Sequence, residues 1–260
     1  MKNYVLGVDV GNTNTVFGLF ENNDNREILY NWRTATHSER TSDELGIFLI
    51  SFLQSAGISQ KDIQGFIYSS VVPSFNSILE NMAVRYFSRD PLRAHAETVS
   101  LEIDYPNPRE IGADRLVNAV AAKEYYGRDL IVIDLGTATT FCVIRNGIYC
   151  GGIIAPGLSL SMEALTGRTA QLPAVTFRKP PNIIGKSTVN AMESGFFYSW
   201  KGMLSGIISE IKHENPEIQY RIAATGGFSE LLNQEIPGLF DEVDSLLTLR
   251  GLKLIYRKRM

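Results

Sequence analysis

The sequence predicts an α/β protein with two similar halves. Runs of strand-forming residues alternate with helical patterns along the 260 residues, which is typical of this fold class. One pattern also occurs twice, in Val5–Thr13 and in Leu130–Thr139: a buried strand, then Asp-x-Gly and small hydroxyl residues, then a second strand. Two similar domains facing each other across a cleft would place the two loops opposite one another, and a nucleotide could lie in such a cleft.

The first half of the chain is predicted to contain three strands and two helices. Apolar residues recur at helical spacing behind a Ser/Asp cap in its first helix. Pro73 stops the third strand, because proline lacks the N–H that a ladder needs. In chain order the elements are strand 4–8, strand 16–20, helix 41–56, strand 63–72 and a helix from about 74 to 86.

The second half repeats the alternation. Gly127 follows a helical pattern at the position where glycine commonly ends a helix, while Gly251 weakens the helical pattern near the C-terminus. In chain order the elements are helix 113–127, a strand, turn and strand over 129–144, a helix from 188 to about 213, strand 220–225 and helix 247–259.

Charge and composition exclude several function classes. The formal net charge is −3 and no tract is of low complexity, so neither nucleic acid nor an anionic membrane is expected as the main partner. The cations near the C-terminus are interpreted as the end of a helix, where they complement the helix dipole, rather than as a binding tail. They are Arg250, Lys253, Arg257, Lys258 and Arg259.

The two cysteines, Cys142 and Cys150, lack the spacing of a zinc site, and the three histidines form no recognisable metal pair. Two free thiols are the default in a reducing compartment. The N-terminus has no signal-peptide pattern, and no apolar run reaches membrane-spanning length. A cytoplasmic location is therefore expected.

The first loop combines a charge, a bare backbone and hydroxyl donors. Gly11 allows close approach of a ligand, and successive N–H groups can surround an anion. Asn12 and Thr13 add donors to phosphate oxygens, and Asp9 would hold Mg²⁺ directly or through water. A tight turn capped by Asp9 is the alternative for one copy alone. The second copy at Asp134 favours phosphate binding.

Two other nucleotide-binding motifs are excluded, and the role of a third glycine-containing segment stays undecided. No G-x-G-x-x-G stands between a strand and a helix. Gly185–Thr188 imitates the end of a Walker A loop, but Pro180 stands where that loop needs glycine. The glycines of Ala223–Phe228 could admit an adenine ring or could form a plain strand-to-helix turn, and the sequence does not decide between these.

Asp114 and Arg115 stand at the start of a predicted helix, where anions are favoured. Helix capping by Asp114 is the simple interpretation. The functional one is a base and a cation side by side, which a kinase acting on an alcohol requires.

An ordered set of motifs resembles the type III pantothenate kinases over essentially the full chain. Each motif is weak alone, but their order and spacing are highly specific. They are Asp9–Thr13, Gly112–Arg115, Asp134–Thr139, Gly151–Gly157, residues 168–173, Gly185–Thr188 and Leu247–Leu252.

The resemblance implies the fold of the sugar kinase, heat-shock chaperone and actin superfamily, that is, the actin-like ATPase superfamily. It implies two ribonuclease-H-like domains, 1–116 and 117–260, with the last helix packing back on the first. It also implies phosphorylation of pantothenate by ATP to 4′-phosphopantothenate, the first step toward coenzyme A. A homodimer is implied, and a monovalent cation (K⁺ or NH₄⁺) besides Mg²⁺.

The resemblance also assigns roles to residues. Asp114 is the implied general base, Asp134 the ligand of the monovalent cation, and Asp9 the Mg²⁺ ligand. The implied ATP-binding residues are Asp9, Val10, Gly11, Asn12, Thr13, Asn14, Thr15, Val16 and Thr137. The implied pantothenate-binding residues are Tyr105, Gly112, Ala113, Asp114, Arg115 and Thr188.

The chain departs from many relatives in one respect. They carry a lysine shortly after the first loop, where this chain has Thr15, Val16 and Phe17. Charge neutralisation is then expected from Mg²⁺, Arg115 and backbone dipoles. The alternatives are a non-catalytic relative that acts as a nucleotide-binding transcriptional accessory factor, and a kinase or phosphatase of the same superfamily with another small substrate. The retained aspartates favour an enzyme.

Overall fold

The computed structural model describes residues 3–169 and 172–259. Ala170 and Gln171, which belong to the motif over 168–173, lie outside the described residues. The chain divides into two compact units, Met1–Tyr125 with Leu246–Met260, and Tyr126–Ser245. This division falls at the end of the helix that follows Gly112, whereas the sequence places the domain boundary near the start of that helix, after residue 116.

The elements alternate along the chain as an α/β protein requires. The strands are β1 (Tyr4–Val10), β2 (Asn14–Glu21), β3 (Tyr30–Ala35), β4 (Ile63–Ser70), β5 (Leu92–Arg93), β6 (Glu102–Ile103), β7 (Leu130–Leu135), β8 (Ala138–Arg145), β9 (Ile148–Pro156), β10 (Arg221–Thr225) and β11 (Glu242–Val243). The helices are α1 (Ser42–Ser55), α2 (Pro73–Phe87), α3 (Ala113–Tyr126), α4 (Leu158–Gly167), α5 (Thr188–Glu214), α6 (Ser229–Glu235) and α7 (Leu247–Arg259). Short 3-10 helices cover Gln60–Asp62 and Pro108–Glu110.

The first unit is built on a five-stranded sheet with the order β3-β2-β1-β4-β5. β1 pairs antiparallel with β2 and parallel with β4, and β2 pairs antiparallel with β3. β1 is thus the central strand. Alternate side chains of β1 belong to a buried cluster that α1 and α2 share with the sheet. The neighbouring strands β2 and β4 hold β1 along both of its edges.

The starts of α1 and α2 correct two details of the prediction. α1 is capped by Thr41 rather than by Ser or Asp: Thr41 Oγ1 accepts from Glu44 N (3.2 Å), and the Glu44 carboxylate accepts from Thr41 N (2.7 Å). This is a capping box. Pro73 is the first residue of α2, where its missing N–H costs nothing, and the strand before it already ends at Ser70.

The C-terminal helix α7 packs on the same sheet, against β1, β2 and β4. A Cβ on Gly18 would lie 2.7 Å from Leu249 Cδ1, so the helix fits only because the strand carries glycine there. Gly251 has the same function on the helix, since a Cβ there would lie 2.6 Å from Val117 Cγ1 of α3. Gly251 therefore permits close packing and does not break the helix.

The cations at the end of α7 have partners within the first unit. Lys258 Nζ lies 3.1 Å from the Glu124 carboxylate, and Arg259 Nε donates to the carbonyl of Thr98 (3.1 Å). Arg257 forms a further ion pair. These contacts fasten the end of the helix and agree with its interpretation as a structural terminus.

In the second unit the strand order is β11-β10-β7-β8-β9. β7 pairs antiparallel with β8 and parallel with β10. The long helix α5 contributes Phe197, Trp200 and Leu204 to a core that also contains Ile131 and Ile133 of β7. The central strand of this unit therefore has a fixed position, and it ends at Asp134-Leu135.

Among the described residues, no helix combines the length and the apolar character needed to cross a membrane.

Candidate active site

The loop between β1 and β2 exposes several hydrogen-bond donors. Gly11 N donates to the carbonyl of Asn14 (3.0 Å), which closes the turn. A Cβ on Gly11 would lie 3.2 Å from the same carbonyl oxygen, so any side chain would crowd the turn. Asn12, Thr13 and Asn14 are exposed. A short loop with exposed amide and hydroxyl donors is suited to bind an anion.

Thr36, which directly follows β3, holds this loop in place. Its N–H donates to the carbonyl of Thr13 (2.9 Å), and its hydroxyl donates to the carbonyl of Gly11 (2.8 Å). A hydroxyl carries one proton, so the buried Thr15 hydroxyl is the donor in its contact with Thr36 Oγ1 (2.9 Å). The loop is therefore braced from a second segment of the chain.

Asp9 lies at the carboxyl end of β1, beside Ser69 of the parallel strand β4. The Ser69 hydroxyl donates to Asp9 Oδ1 over 2.6 Å. Burial raises the pKa of Asp9 to about 7, and the nearby charge of Asp114 also raises it, whereas the Ser69 hydrogen bond lowers it. Since a bound cation would favour the charged form of Asp9, the electrostatics of this position suit a metal ligand.

Asp114 occupies the first turn of α3 in the same unit. Its Oδ1 accepts a hydrogen bond from the backbone N–H of Arg115 (2.8 Å). Burial raises the pKa of Asp114, and this hydrogen bond and the Arg115 charge oppose the rise. A Cβ on Gly112 would lie 2.5 Å from Asp114 Oδ1, so glycine is needed there to leave room for the carboxylate. Asp114 is thus a carboxylate with a raised pKa beside a cation at a helix start.

The loop between β7 and β8 repeats this arrangement in the second unit, with a shorter turn. Gly136 N donates to the carbonyl of Ala138 (3.1 Å). Asp134 is half-buried, and Thr137 is exposed at the tip of the loop. Gly226 has φ +90°, and a Cβ there would lie 2.5 Å from Asp134 Oδ1. Gly226, directly after β10, is therefore required by its positive φ and by the close approach of Asp134.

The residues around Asp134 fit a cation with few charged ligands. Thr225 stands opposite Asp134 in the register of β10 and β7, so the two side chains share one face of the sheet. The Thr225 hydroxyl is buried and has no hydrogen-bond partner among the described residues. A neutral oxygen beside one carboxylate suits a monovalent ion.

No cluster of three or more histidine, cysteine or acidic side chains that could hold a metal occurs in residues 3–169 and 172–259. Mg²⁺ in kinases usually takes one or two carboxylates together with phosphate oxygens. Asp9 beside a phosphate loop fits that pattern.

The structure distributes the predicted site residues over both units. Residues 9–16, Tyr105 and 112–115 lie in the first, where Asp9 and Asp114 are close enough to interact electrostatically. Asp134, Thr137 and Thr188 lie in the second. Tyr105 is half-buried in the connection before α3, and the exposed Thr188 is the first residue of α5.

A family model described as type III pantothenate kinase matches residues 5–210. A type III pantothenate kinase of Listeria monocytogenes is 46% identical over 256 residues, covering 98% of this chain and 97% of the relative. The chain belongs to the type III pantothenate kinase family.

Solved structures of low sequence identity share the fold of this family member. A conserved Baf family transcriptional activator from Campylobacter jejuni has a TM-score of 0.58 at 21% identity and covers 98% of both chains. The activator of 2-hydroxyisocaproyl-CoA dehydratase from Clostridium difficile, solved with bound ADPNP, has a TM-score of 0.56 at 13% identity, covering 98% of this chain and 95% of that one. The chain shares the fold of these two structures, and the prediction of an α/β fold is confirmed.

Two residues that support the site in this type III pantothenate kinase family member were missed by the sequence reasoning. Ser69 had only a weak signal, as a small hydroxyl residue near the end of a predicted strand. Thr36 had none, since hydroxyl residues after a strand are common. Both act through contacts between segments distant in sequence.

Proposed function

We propose that the chain phosphorylates pantothenate with ATP to give 4′-phosphopantothenate, the first step toward coenzyme A. The observation that carries the proposal is the pair Asp9 and Asp114. Both carboxylates have a raised pKa, both lie in the first unit, and the charge of Asp114 contributes to the raised pKa of Asp9. One stands beside a phosphate loop and the other at a helix start, the arrangement that metal binding and proton transfer require.

Asp114 is the proposed general base. The substrate hydroxyl oxygen attacks the γ-phosphorus of ATP, its proton passes to a carboxylate oxygen of Asp114, and ADP leaves. The raised pKa makes the carboxylate a better proton acceptor near neutral pH. The Arg115 N–H fixes one oxygen at 2.8 Å, which leaves the other for the substrate. The buried Arg115 side chain supplies positive charge at the same helix start.

The ATP phosphates are proposed to bind the loop Asp9–Val16, with Thr137 as a further ATP contact. The exposed donors of Asn12, Thr13 and Asn14 support this assignment. Mg²⁺, when bound, neutralises phosphate charge, and Asp9 would hold it directly or through water. Ser69 keeps the Asp9 carboxylate in one orientation.

Asp134 is the proposed ligand of a monovalent cation, K⁺ or NH₄⁺. The unpaired Thr225 hydroxyl on the same face of the sheet supports this role. Pantothenate is proposed to contact Tyr105, Gly112, Ala113, Asp114, Arg115 and Thr188.

The chain is also proposed to act as a homodimer. The apolar residues of α3 that follow Arg115 do not offer a pairing surface, because Leu116, Val117 and Val120 are buried within the single chain. Exposed apolar side chains lie instead in the second unit, at Ile153, Ile154, Leu160, Leu165, Ile183, Ile184 and Val189. These seven residues are called the apolar surface below.

Neither Cys142 nor Cys150 forms a disulfide in the part of the chain that the structure describes, which fits a reducing compartment such as the cytoplasm. A non-catalytic accessory factor would have no use for a buried base beside a phosphate loop. The enzyme is therefore favoured over that alternative.

A coupled assay with ATP and pantothenate in K⁺ buffer tests the proposal. We expect formation of ADP and 4′-phosphopantothenate in equal amounts, and no phosphorylated product when pantothenate is left out. Absence of phosphopantothenate in both K⁺ and NH₄⁺ buffers, with Mg²⁺ present, would refute the proposed function.

A further inference from the structure

Arg33 lies in the same row of side chains as Asp9. In the antiparallel pairs, Asp9 stands opposite Val16, and Val16 stands opposite Arg33. Directly opposite residues carry their side chains on the same face of a sheet. Ser69, Asp9, Val16 and Arg33 therefore form one row across four adjacent strands, and the turn at residues 11–13 begins two residues after Asp9.

The distance across this row is within reach of an arginine. Neighbouring strands are roughly 4.8 Å apart, so the Cα atoms of Arg33 and Asp9 are separated by about 10 Å. Only the shorter, half-buried Val16 lies between them. Arg33 is exposed, and the structure gives its guanidinium no hydrogen-bond or ion-pair partner in the part of the chain that it describes. The side chain is free to extend over Val16 toward a ligand at Asp9.

The negative charges near Asp9 would favour an additional cation when a nucleotide is bound. Asp9 and Asp114 are acidic, and a nucleotide would add several negative charges. Val16, which lies between the two, carries no charge, and Arg115 lies at the start of α3, on another element. We propose that Arg33 binds the terminal phosphates of the nucleotide and supplies, from the neighbouring strand, the positive charge that the loop lacks. This inference rests on the proposed function.

An ordinary structural role must be separated from this one. β3 is an edge strand, and edge strands often carry charged side chains that prevent pairing with other chains. Arg93 offers a matched control, because it is an exposed arginine on β5, the opposite edge of the same sheet. If edge protection were the function of Arg33, the two arginines would be equivalent.

The experiment compares Arg33→Met, Arg93→Met and the double variant Arg33→Met/Val16→Lys with the parent chain. Calorimetry gives the dissociation constants of Mg-ATP and of AMP, and kinetics give kcat and both KM values. A hydrogen bond to a charged group is worth roughly 1.5–3 kcal/mol, so Arg33→Met should weaken Mg-ATP binding about 10- to 100-fold. AMP, with a single phosphate, should lose much less affinity, and the KM for pantothenate should stay unchanged.

Lysine at position 16 should restore most of the Mg-ATP affinity, because it places a cation in the same row. Arg93→Met should bind as the parent does. Unchanged Mg-ATP affinity in Arg33→Met, an equal loss for ATP and AMP, or no recovery in the double variant would each overturn the inference. A parent chain that binds Mg-ATP but does not phosphorylate pantothenate would refute the proposed function alone, while one that binds no nucleotide would overturn both.

Discussion

The Ser69 hydroxyl donates a 2.6 Å hydrogen bond to Asp9 Oδ1, joining the carboxyl ends of two parallel strands. Because Ser69 is fully buried, its orientation is set by packing rather than by solvent. The bond fixes one carboxylate oxygen of Asp9 and leaves Oδ2 for another partner. It also favours the charged form of a group whose pKa burial raises. The Asp9 carboxylate is thus oriented for the proposed cation, and its burial has a cost in the free energy of unfolding.

That cost should appear as a pH-dependent stability difference in Asp9→Asn. The pKa of Asp9 is raised from 3.8 to about 7 in the folded chain. Between these values the folded state holds more protons than the unfolded state, so the free energy of unfolding contributed by Asp9 falls as the pH rises. Asparagine does not ionise. In metal-free buffer, Asp9→Asn should therefore have a higher Tm than the parent at pH 8, by a few degrees, and about the same Tm near pH 4.

Thermal unfolding with EDTA measures this difference. The control is Asp90→Asn, which neutralises an exposed carboxylate in the same unit and should show no such pH-dependent gain. If Asp9→Asn were no more stable at pH 8 than at pH 4, relative to the parent, the Asp9 carboxylate would not be strained by burial.

Asp114→Asn should fold normally and lose most of its turnover. An amide keeps the shape of the side chain but cannot accept the proton of the substrate hydroxyl, and losing a general base costs on the order of 10²–10⁴-fold in kcat. In the parent chain, kcat/KM should fall as the pH is lowered through a pKa above the usual 3.8 of aspartate. Steady-state kinetics and circular dichroism would measure both.

Glu124→Gln is the control for this variant, since it removes a carboxylate at the other end of the same helix. It should keep the parent kcat. Retention by Asp114→Asn of more than about a tenth of the parent kcat would show that another group is the base.

The monovalent-cation site gives a third prediction. Activity should rise steeply with K⁺ or NH₄⁺ and be poorly supported by Na⁺, and Asp134→Asn should lose this dependence. Thr225→Val, which removes the unpaired hydroxyl beside Asp134, should raise the K⁺ concentration for half-maximal activity about tenfold, the loss of one ligand.

Thr139→Val is the matched control for the third prediction. Thr139 also has a buried hydroxyl without a partner among the described residues, but it pairs with Leu135 and so lies on the opposite face from Asp134. Its K⁺ dependence should match the parent. Equal rates in K⁺ and Na⁺ at matched ionic strength would instead assign Asp134 to the Mg²⁺ site.

The fold class could be predicted because apolar periodicity is local and strong. The long helix from Thr188 ends at Glu214, one residue beyond the predicted end, and both Asp-x-Gly loops join strands as the repeated pattern indicated. The strands β3, β5, β6 and β11 and the helices α4 and α6 were not predicted. The mean hydropathy and spacing of such short segments do not distinguish them from connections, and β11 is held by two residue pairs with β10.

The support of the site was less accessible to sequence reasoning. Gly226 could be read as part of a binding surface for adenine or as a turn, and its actual constraint is a positive φ next to Asp134. Ser69 and Thr36 act over 60 and 25 residues of sequence separation. Register decides such contacts, and a single sequence does not determine register between distant strands.

The apolar surface defined above gives the last prediction. Its seven large apolar side chains are exposed in the second unit, and a second copy of the same chain is the occupant proposed for them. Light scattering should give roughly twice the 28.9 kDa chain mass.

Ile154 and Ile184 are 64% and 78% exposed, so charging both in Ile154→Glu/Ile184→Glu removes no core packing and should yield a folded monomer. Ile47→Glu is the control, because Ile47 is 60% exposed on α1 of the other unit, and it should remain dimeric. A parent chain that is monomeric and fully active at nanomolar concentration would contradict the dimer, and a double variant that stays dimeric would exclude this surface as the interface.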